Sequence, residues 1–248
     1  IIEKIQSLSE KKSNLKILKK MSDILKIYGQ VIKIVKEVDM SKFEKYEILK
    51  RLTEEKIVAV IRGNGVKEAV DTIEACSEGG IKAIEVTYTI REASEVISNF
   101  VTREDMLVGA GTVLDSETAR IAILAGAKFI VGPNFSREVS VMCNRYQIPY
   151  ITGCQTVNEV ISSLVSGCDL IKLFPGNNFD FSYLKALKAP IPKVKFMVTG
   201  GVDVDNITTW LKSGADAVGV GGNLVKGSRE DIIRSAEEYL SRIKGELG

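Results

Sequence analysis

The chain has 248 residues, 27% charged and 45% hydrophobic, enough apolar material for one large core of the size an α/β barrel fills alone. Its net charge is +2, with no basic block and no run of interleaved aromatics, so nothing in it points to nucleic acid. Histidine is absent, which excludes a Ser-His-Asp triad, a Cys-His pair and any His-ligated metal, and leaves acid–base work to Glu, Asp, Lys, Tyr or water.

Residues 1–42 form the first unit by pattern. Leu18, Met21, Leu25, Tyr28, Ile32 and Val35 follow a three-then-four spacing, and Ile17, Ile24, Val31 and Val38 widen the stripe. This predicts a helix, or a helical hairpin if Ile1, Ile2, Ile5 and Leu8 supply a second one, with an apolar face broader than a two-stranded coiled coil needs. Packing on the same chain and joining of subunits fit the stripe equally. Met40, followed by Ser-Lys-Phe, reads as an original start, with residues 1–39 an extension.

From Lys56 a short apolar run alternates eight times with a longer amphipathic stretch. The runs are 56–63, 83–89, 106–113, 129–134, 149–154, 170–176, 195–201 and 217–223. Near-continuous β-branched runs of this length are expected of strands buried on both faces, as in a parallel sheet. Gly80, Gly126, Gly167 and Gly214 each fall a few residues before the next strand, where a helix C-cap favours glycine. Eight strand–helix units in about 200 residues predict a (β/α)8 TIM barrel over residues 43–248, in preference to an open doubly wound sheet. Cys76, Cys143, Cys154 and Cys168 lack the close pairing of a zinc site and lie in or beside apolar segments. They read as small buried hydrophobes with reduced thiols, and the expected compartment is the cytoplasm. No apolar run reaches the roughly 18 residues of a membrane helix, and the N-terminus lacks the layout of a signal peptide.

In such barrels the active site lies at the C-terminal ends of the strands. The polar residues there are Arg62, Glu85, Thr87, Thr89, Thr112, Asn134, Gln155, Lys172, Thr199 and Asn223. Lys172 stands out in Leu-Ile-Lys-Leu-Phe-Pro-Gly, because an apolar setting disfavours the ammonium relative to the free amine that carbonyl condensation requires. The alternative is a structural lysine whose head is paired with a carboxylate. Glu85, in Ala-Ile-Glu-Val-Thr, is either its proton-carrying partner or only its counter-charge. Thr-Gly-Gly at 199–201 and Gly-Gly at 221–222 end the last two strands, where backbone amides of barrels frequently hold phosphate; tight turns are the plainer reading.

Taken in order, Ile-Val-Ala-Val-Ile-Arg-Gly, Ile-Glu-Val-Thr, Gly-Ala-Gly-Thr-Val, Ile-Lys-Leu-Phe-Pro-Gly, Thr-Gly-Gly-Val and Val-Gly-Val-Gly resemble the 2-keto-3-deoxy-6-phosphogluconate (KDPG) / 4-hydroxy-2-oxoglutarate (KHG) aldolase family, from about Glu47 to Lys244. The resemblance implies a metal-free, cofactor-free class I aldolase that cleaves a 2-keto-4-hydroxy acid to pyruvate and an aldehyde. On matching positions Lys172 is the Schiff-base lysine and Glu85 the general acid/base. Arg62 and Thr112 hold the pyruvate carboxylate, and Gly132, Pro133 and Phe174 shape the pocket. Thr87 joins the substrate-binding set, and Thr199, Gly200, Gly201, Gly221 and Gly222 hold a phosphate. The resemblance also implies a homotrimer, with residues 1–39 as a possible link to a larger assembly. Thr89 stands where some members carry arginine, and Gly222-Asn223 where others carry serine, so the phosphate contact and the substrate are the open points. Two other readings are a phosphosugar isomerase or synthase of the same fold, and a trimeric barrel used chiefly as an assembly scaffold.

Overall fold

The computed structural model describes residues 44–247; the helical segment expected over residues 1–42 lies outside them. Helix α1 (Glu44–Glu55) leads into β1 (Ile57–Ile61), and the alternation then runs α2 (Val66–Glu78), β2 (Ala83–Thr87), α3 (Ala93–Ser98), β3 (Leu107–Gly111), α4 (Ser116–Leu124) and β4 (Ile130–Val131). It continues with α5 (Arg137–Arg145), β5 (Tyr150–Cys154), α6 (Val157–Val165), β6 (Leu170–Leu173), α7 (Phe181–Lys188), β7 (Lys195–Thr199), α8 (Ile207–Lys212), β8 (Ala217–Val220) and α9 (Arg229–Leu247). The eight strands are parallel, and β8 pairs back onto β1 to close the barrel. The predicted (β/α)8 architecture is the one found.

Local signals set the units. Asp115, Ser136 and Asp180 cap α4, α5 and α7 by accepting a backbone N–H, and Thr156 and Glu159 form a reciprocal capping box at α6. The four expected cap glycines all have positive φ, 97° at Gly80, 98° at Gly126, 83° at Gly167 and 108° at Gly214. The strands are shorter than their apolar runs, β4 most of all. There the ladder stops at Val131, two residues before Pro133, which has no N–H to give.

Strand alternation divides the core in two. Residues such as Ile57, Ala59, Ile61, Ile84, Val86, Ile171, Phe196 and Val198 face outward and pack under the helices. Val58, Ala83, Leu107, Phe129, Val131, Ile151, Leu170, Met197 and Ala217 face the lumen and pack with Ile48 and Leu52 of α1. Helix α1 therefore stoppers the N-terminal mouth with apolar side chains. The lumen positions one step further along, toward the strands' C-terminal ends, carry the polar groups.

Candidate active site

Lys172 lies on β6, two residues beyond the lumen-facing Leu170, so the two-residue period of a strand turns it inward. Glu85 reaches the same level from β2, two residues beyond Ala83. Both are buried, and Lys172 Nζ lies 3.6 Å from Glu85 Oε1. Room for the carboxylate comes from Gly111 on β3, since any Cβ there would overlap the Glu85 carboxyl group. The ring of Phe174 covers the amine at 5.0 Å from its centroid, within cation–π range.

This pair is incompletely satisfied. Glu85 Oε2 is buried with no hydrogen-bond partner among the described residues, and so is Oγ1 of Thr199 on β7. Two charges taken out of water are held favourably only by excellent geometry and further hydrogen bonds. A 3.6 Å contact is longer than a hydrogen bond, so this geometry alone does not make a strong structural ion pair.

Above the pair a cleft of about 290 Å3 opens between β7, β8 and β1, lined by Val60, Arg62, Phe174, Thr199, Gly200, Gly201, Val202, Gly219, Gly221, Gly222 and Asn223. Larger hollows of about 680 and 530 Å3 lie against α2 and α1 and take in none of the predicted site residues. Arg62 is exposed at the rim with no hydrogen-bond or ion-pair partner among the described residues. Gly200 and Gly201 adopt φ of 98° and 72°, a left-handed path that side chains strain to follow. The backbone N–H groups of Gly201, Val202, Gly222 and Asn223 have no internal acceptor among the described residues. Free amides from two adjacent loops beside an unpaired guanidinium make a concavity suited to an anion.

Seven of the predicted site residues thus line one cleft: Arg62, Phe174, Thr199, Gly200, Gly201, Gly221 and Gly222. Thr87, Thr112 and Pro133 sit at the C-terminal ends of β2, β3 and β4, outside the residues that line the cleft. The Thr87 hydroxyl is buried, donates to the Ile61 carbonyl oxygen at 2.9 Å and lies 2.7 Å from Thr89 Oγ1. Thr112 follows Gly111 with a φ of 57°, an uncommon backbone state for a residue with a Cβ, of a kind that clusters at functional sites. Pro133 presents its carbonyl oxygen against Gly153 of β5. Among the described residues no group of three or more Cys, Asp or Glu side chains is placed to hold a metal ion. The cysteines are not rival nucleophiles: burial pushes the thiols of Cys76, Cys143 and Cys168 up to about 12. Sequence reading passed over Val60, Val202, Gly111 and Gly219. Counting outward in twos from Lys172 and Glu85 finds strand positions of this kind, but only once the barrel register is known.

The sequence pattern of the KDPG and KHG aldolases matches residues 48–237, from within α1 to within α9, and so takes in all eight strands. The chain belongs to the KDPG and KHG aldolase family. Among its relatives is the 2-dehydro-3-deoxy-6-phosphogalactonate aldolase of Escherichia coli K12, 29% identical over 191 residues that cover 76% of this chain and 93% of that protein. The 2-dehydro-3-deoxy-phosphogluconate aldolase of Treponema pallidum is 33% identical over 169 residues, covering 67% and 79%. A solved structure with a TM-score of 0.74 and 28% identity, covering 77% of this chain and 73% of the other, is a cube-shaped porous cage designed by fusing symmetric oligomeric domains. The matched range takes in all six motifs that carried the resemblance. The lysine, the glutamate and the two glycine loops of this chain fall inside them and meet at one end of the barrel.

Proposed function

We propose that this protein is a class I aldolase that cleaves a phosphorylated 2-keto-3-deoxy acid to pyruvate and glyceraldehyde 3-phosphate through a Schiff base on Lys172. The observation that carries this is a buried amine 3.6 Å from a buried carboxylate, beneath the Phe174 ring that also lines a cleft rich in unpaired backbone amides. The Lys172 amine, once deprotonated, attacks C2 of the keto acid to give a carbinolamine; loss of water leaves an iminium. Glu85, acting through a water, carries the protons of carbinolamine breakdown and takes the proton from the C4 hydroxyl. The C3–C4 bond then breaks with its electrons moving onto the iminium, and the aldehyde leaves from a neutral enamine rather than a full carbanion. Protonation at C3 and addition of water at C2 release pyruvate and restore the amine.

In this reading Arg62 and Thr112 hold the pyruvate carboxylate, the arginine through paired hydrogen bonds. Thr87, Pro133 and Phe174 shape the pocket. Thr199 with Gly200, Gly201, Gly221 and Gly222 receives the phosphate of the aldehyde half. Relatives act on both the gluconate and the galactonate forms, which differ in configuration at C4, and both belong to the substrate class we assign. We place the activity in residues 43–248 and assign residues 1–42, on their sequence pattern alone, to packing or assembly. A homotrimer is our reading of the quaternary state, supported by an exposed apolar face on α4, α5 and α6. Four buried free thiols support a reducing cytoplasm.

The test is reduction with borohydride in the presence of pyruvate, followed by peptide mass spectrometry. A pyruvate-derived adduct on the peptide carrying Lys172 is expected. An adduct on another lysine, or none, would refute the assignment.

A further inference from the structure

The loop that follows β7 is held open by a side chain outside the cleft. Asp203 Oδ1 accepts the backbone N–H of Asp205 at 3.1 Å and of Asn206 at 2.9 Å, a turn built by the aspartate itself, which fixes Asn206 just ahead of α8. Asn206 then turns back on the loop. Its Nδ2 donates to the Gly201 carbonyl oxygen at 2.8 Å, and its Oδ1 accepts the Asp203 N–H at 3.0 Å. One partner is purely an acceptor and the other purely a donor, so the orientation of the amide is fixed by its partners. A second amide ties the same stretch to the neighbouring loop, where Asn223 Nδ2 donates to the Val202 carbonyl oxygen at 3.1 Å.

This clamp has a directional consequence. In a trans peptide the C=O and the following N–H point opposite ways. Holding the Gly201 carbonyl toward Asn206 therefore sends the Val202 N–H away from it. That N–H has no internal acceptor among the described residues, and both Gly201 and Val202 line the cleft. Close packing of Gly201 against Asn177 limits the loop from the other side, since a Cβ at Gly201 would lie 2.6 Å from Asn177 Cβ. The peptide plane is thus set from behind, by a residue that does not line the cleft.

We propose that Asn206 is the positioning residue of the anion subsite: its amide locks the Gly201–Val202 peptide with the N–H facing the cleft, ready for a phosphate oxygen. This rests on the phosphate reading above and adds to it the group that orients the donors. Losing one oriented donor to a charged oxygen removes a hydrogen bond of the stronger, charge-assisted kind. In Asn206→Ala the KM for 2-keto-3-deoxy-6-phosphogluconate should rise about 10-fold or more, the factor that such a bond represents. The values of kcat, and of KM for the phosphate-free 4-hydroxy-2-oxoglutarate, should stay near those of the wild type. Inhibition by inorganic phosphate should weaken in parallel.

Wild-type enzyme that neither prefers the phosphorylated substrate nor is inhibited by inorganic phosphate would overturn the phosphate reading itself. A clear wild-type preference, with Asn206→Ala affecting both substrates alike or neither, would overturn the role of Asn206 alone. Asn206→Ser is the second variant. If both variants fail to fold, Asn206 serves stability and the inference falls.

Discussion

At the scale of single residues, the proposed mechanism depends on a carboxylate that is buried and close to an amine. Glu85→Gln keeps the volume and hydrogen-bonding capacity but cannot cycle a proton. Turnover should fall roughly 10²- to 10⁴-fold, the usual contribution of a general acid/base, while borohydride trapping still labels Lys172, though more slowly. Turnover close to wild type in that variant would leave Glu85 as a counter-charge only. Gly111 makes a complementary case, because it acts on Glu85 by leaving space. Gly111→Ala puts a Cβ into the carboxyl group of a fully buried side chain, so the glutamate or the strand must move. Overpacking of this kind costs about 1–3 kcal/mol of stability, to be read as a lowered denaturation midpoint, and activity should fall with it. Lys172 and Glu85 were legible in the sequence because a charge inside an apolar strand is conspicuous. Gly111 and Asn206 were not, because their roles come from a neighbour across the barrel and from the way a loop folds back.

At the scale of elements, the period-two runs and the cap glycines made the eight units readable, and the order of strands around the barrel follows from their parallel succession. The ends were less readable. At their C-terminal ends the apolar runs overshoot the ladders by up to three residues, where the chain leaves the sheet for the loops of that mouth. Thr112 and Pro133 fall in these overshoots, and both leave ladder geometry. The capping box at α6 offers a test of how far a local signal carries. Thr156 accepts from the Glu159 N–H, and the Glu159 carboxylate accepts from the Thr156 and Gln155 N–H groups. Thr156→Ala should lower stability by about 1 kcal/mol, measured by chemical denaturation, with kcat and KM unchanged. The Glu159 carboxyl is held below its usual range, most by the Gln155 N–H. Its contribution is therefore present above its unfolded value and fades as the pH falls through the lowered one.

At the scale of the whole molecule, the distribution of exposed apolar side chains is lopsided. Apart from Tyr46 and Val101, every exposed large hydrophobic among the described residues lies between Leu114 and Val165. Leu114, Ile121 and Leu124 belong to α4 and the loop before it, Val141 to α5, and Val157, Ile161 and Val165 recur four apart along α6. Val165 is 85% exposed and Leu124 69%, so the described residues leave both largely uncovered. The three helices are neighbours: Ser140 Oγ and Asn144 Nδ2 of α5 both donate to the Ser166 carbonyl oxygen at the end of α6. Apolar surface of this kind marks a contact site, and in the homotrimer proposed above a ring of identical subunits would close by burying it at each junction. Covering one such side chain is worth about 1.5–3 kcal/mol, so two charges placed there should open the ring. Ile161→Asp together with Val165→Asp is expected to give particles of lower mass by light scattering, with the α6 capping box intact and the barrel still folded. Because Lys172, Glu85 and the cleft all come from one chain, the smaller particle should still form the borohydride-trapped pyruvate adduct. An unchanged mass would place the subunit contact elsewhere. Loss of the adduct from a folded smaller particle would mean that a neighbouring copy helps to build the site.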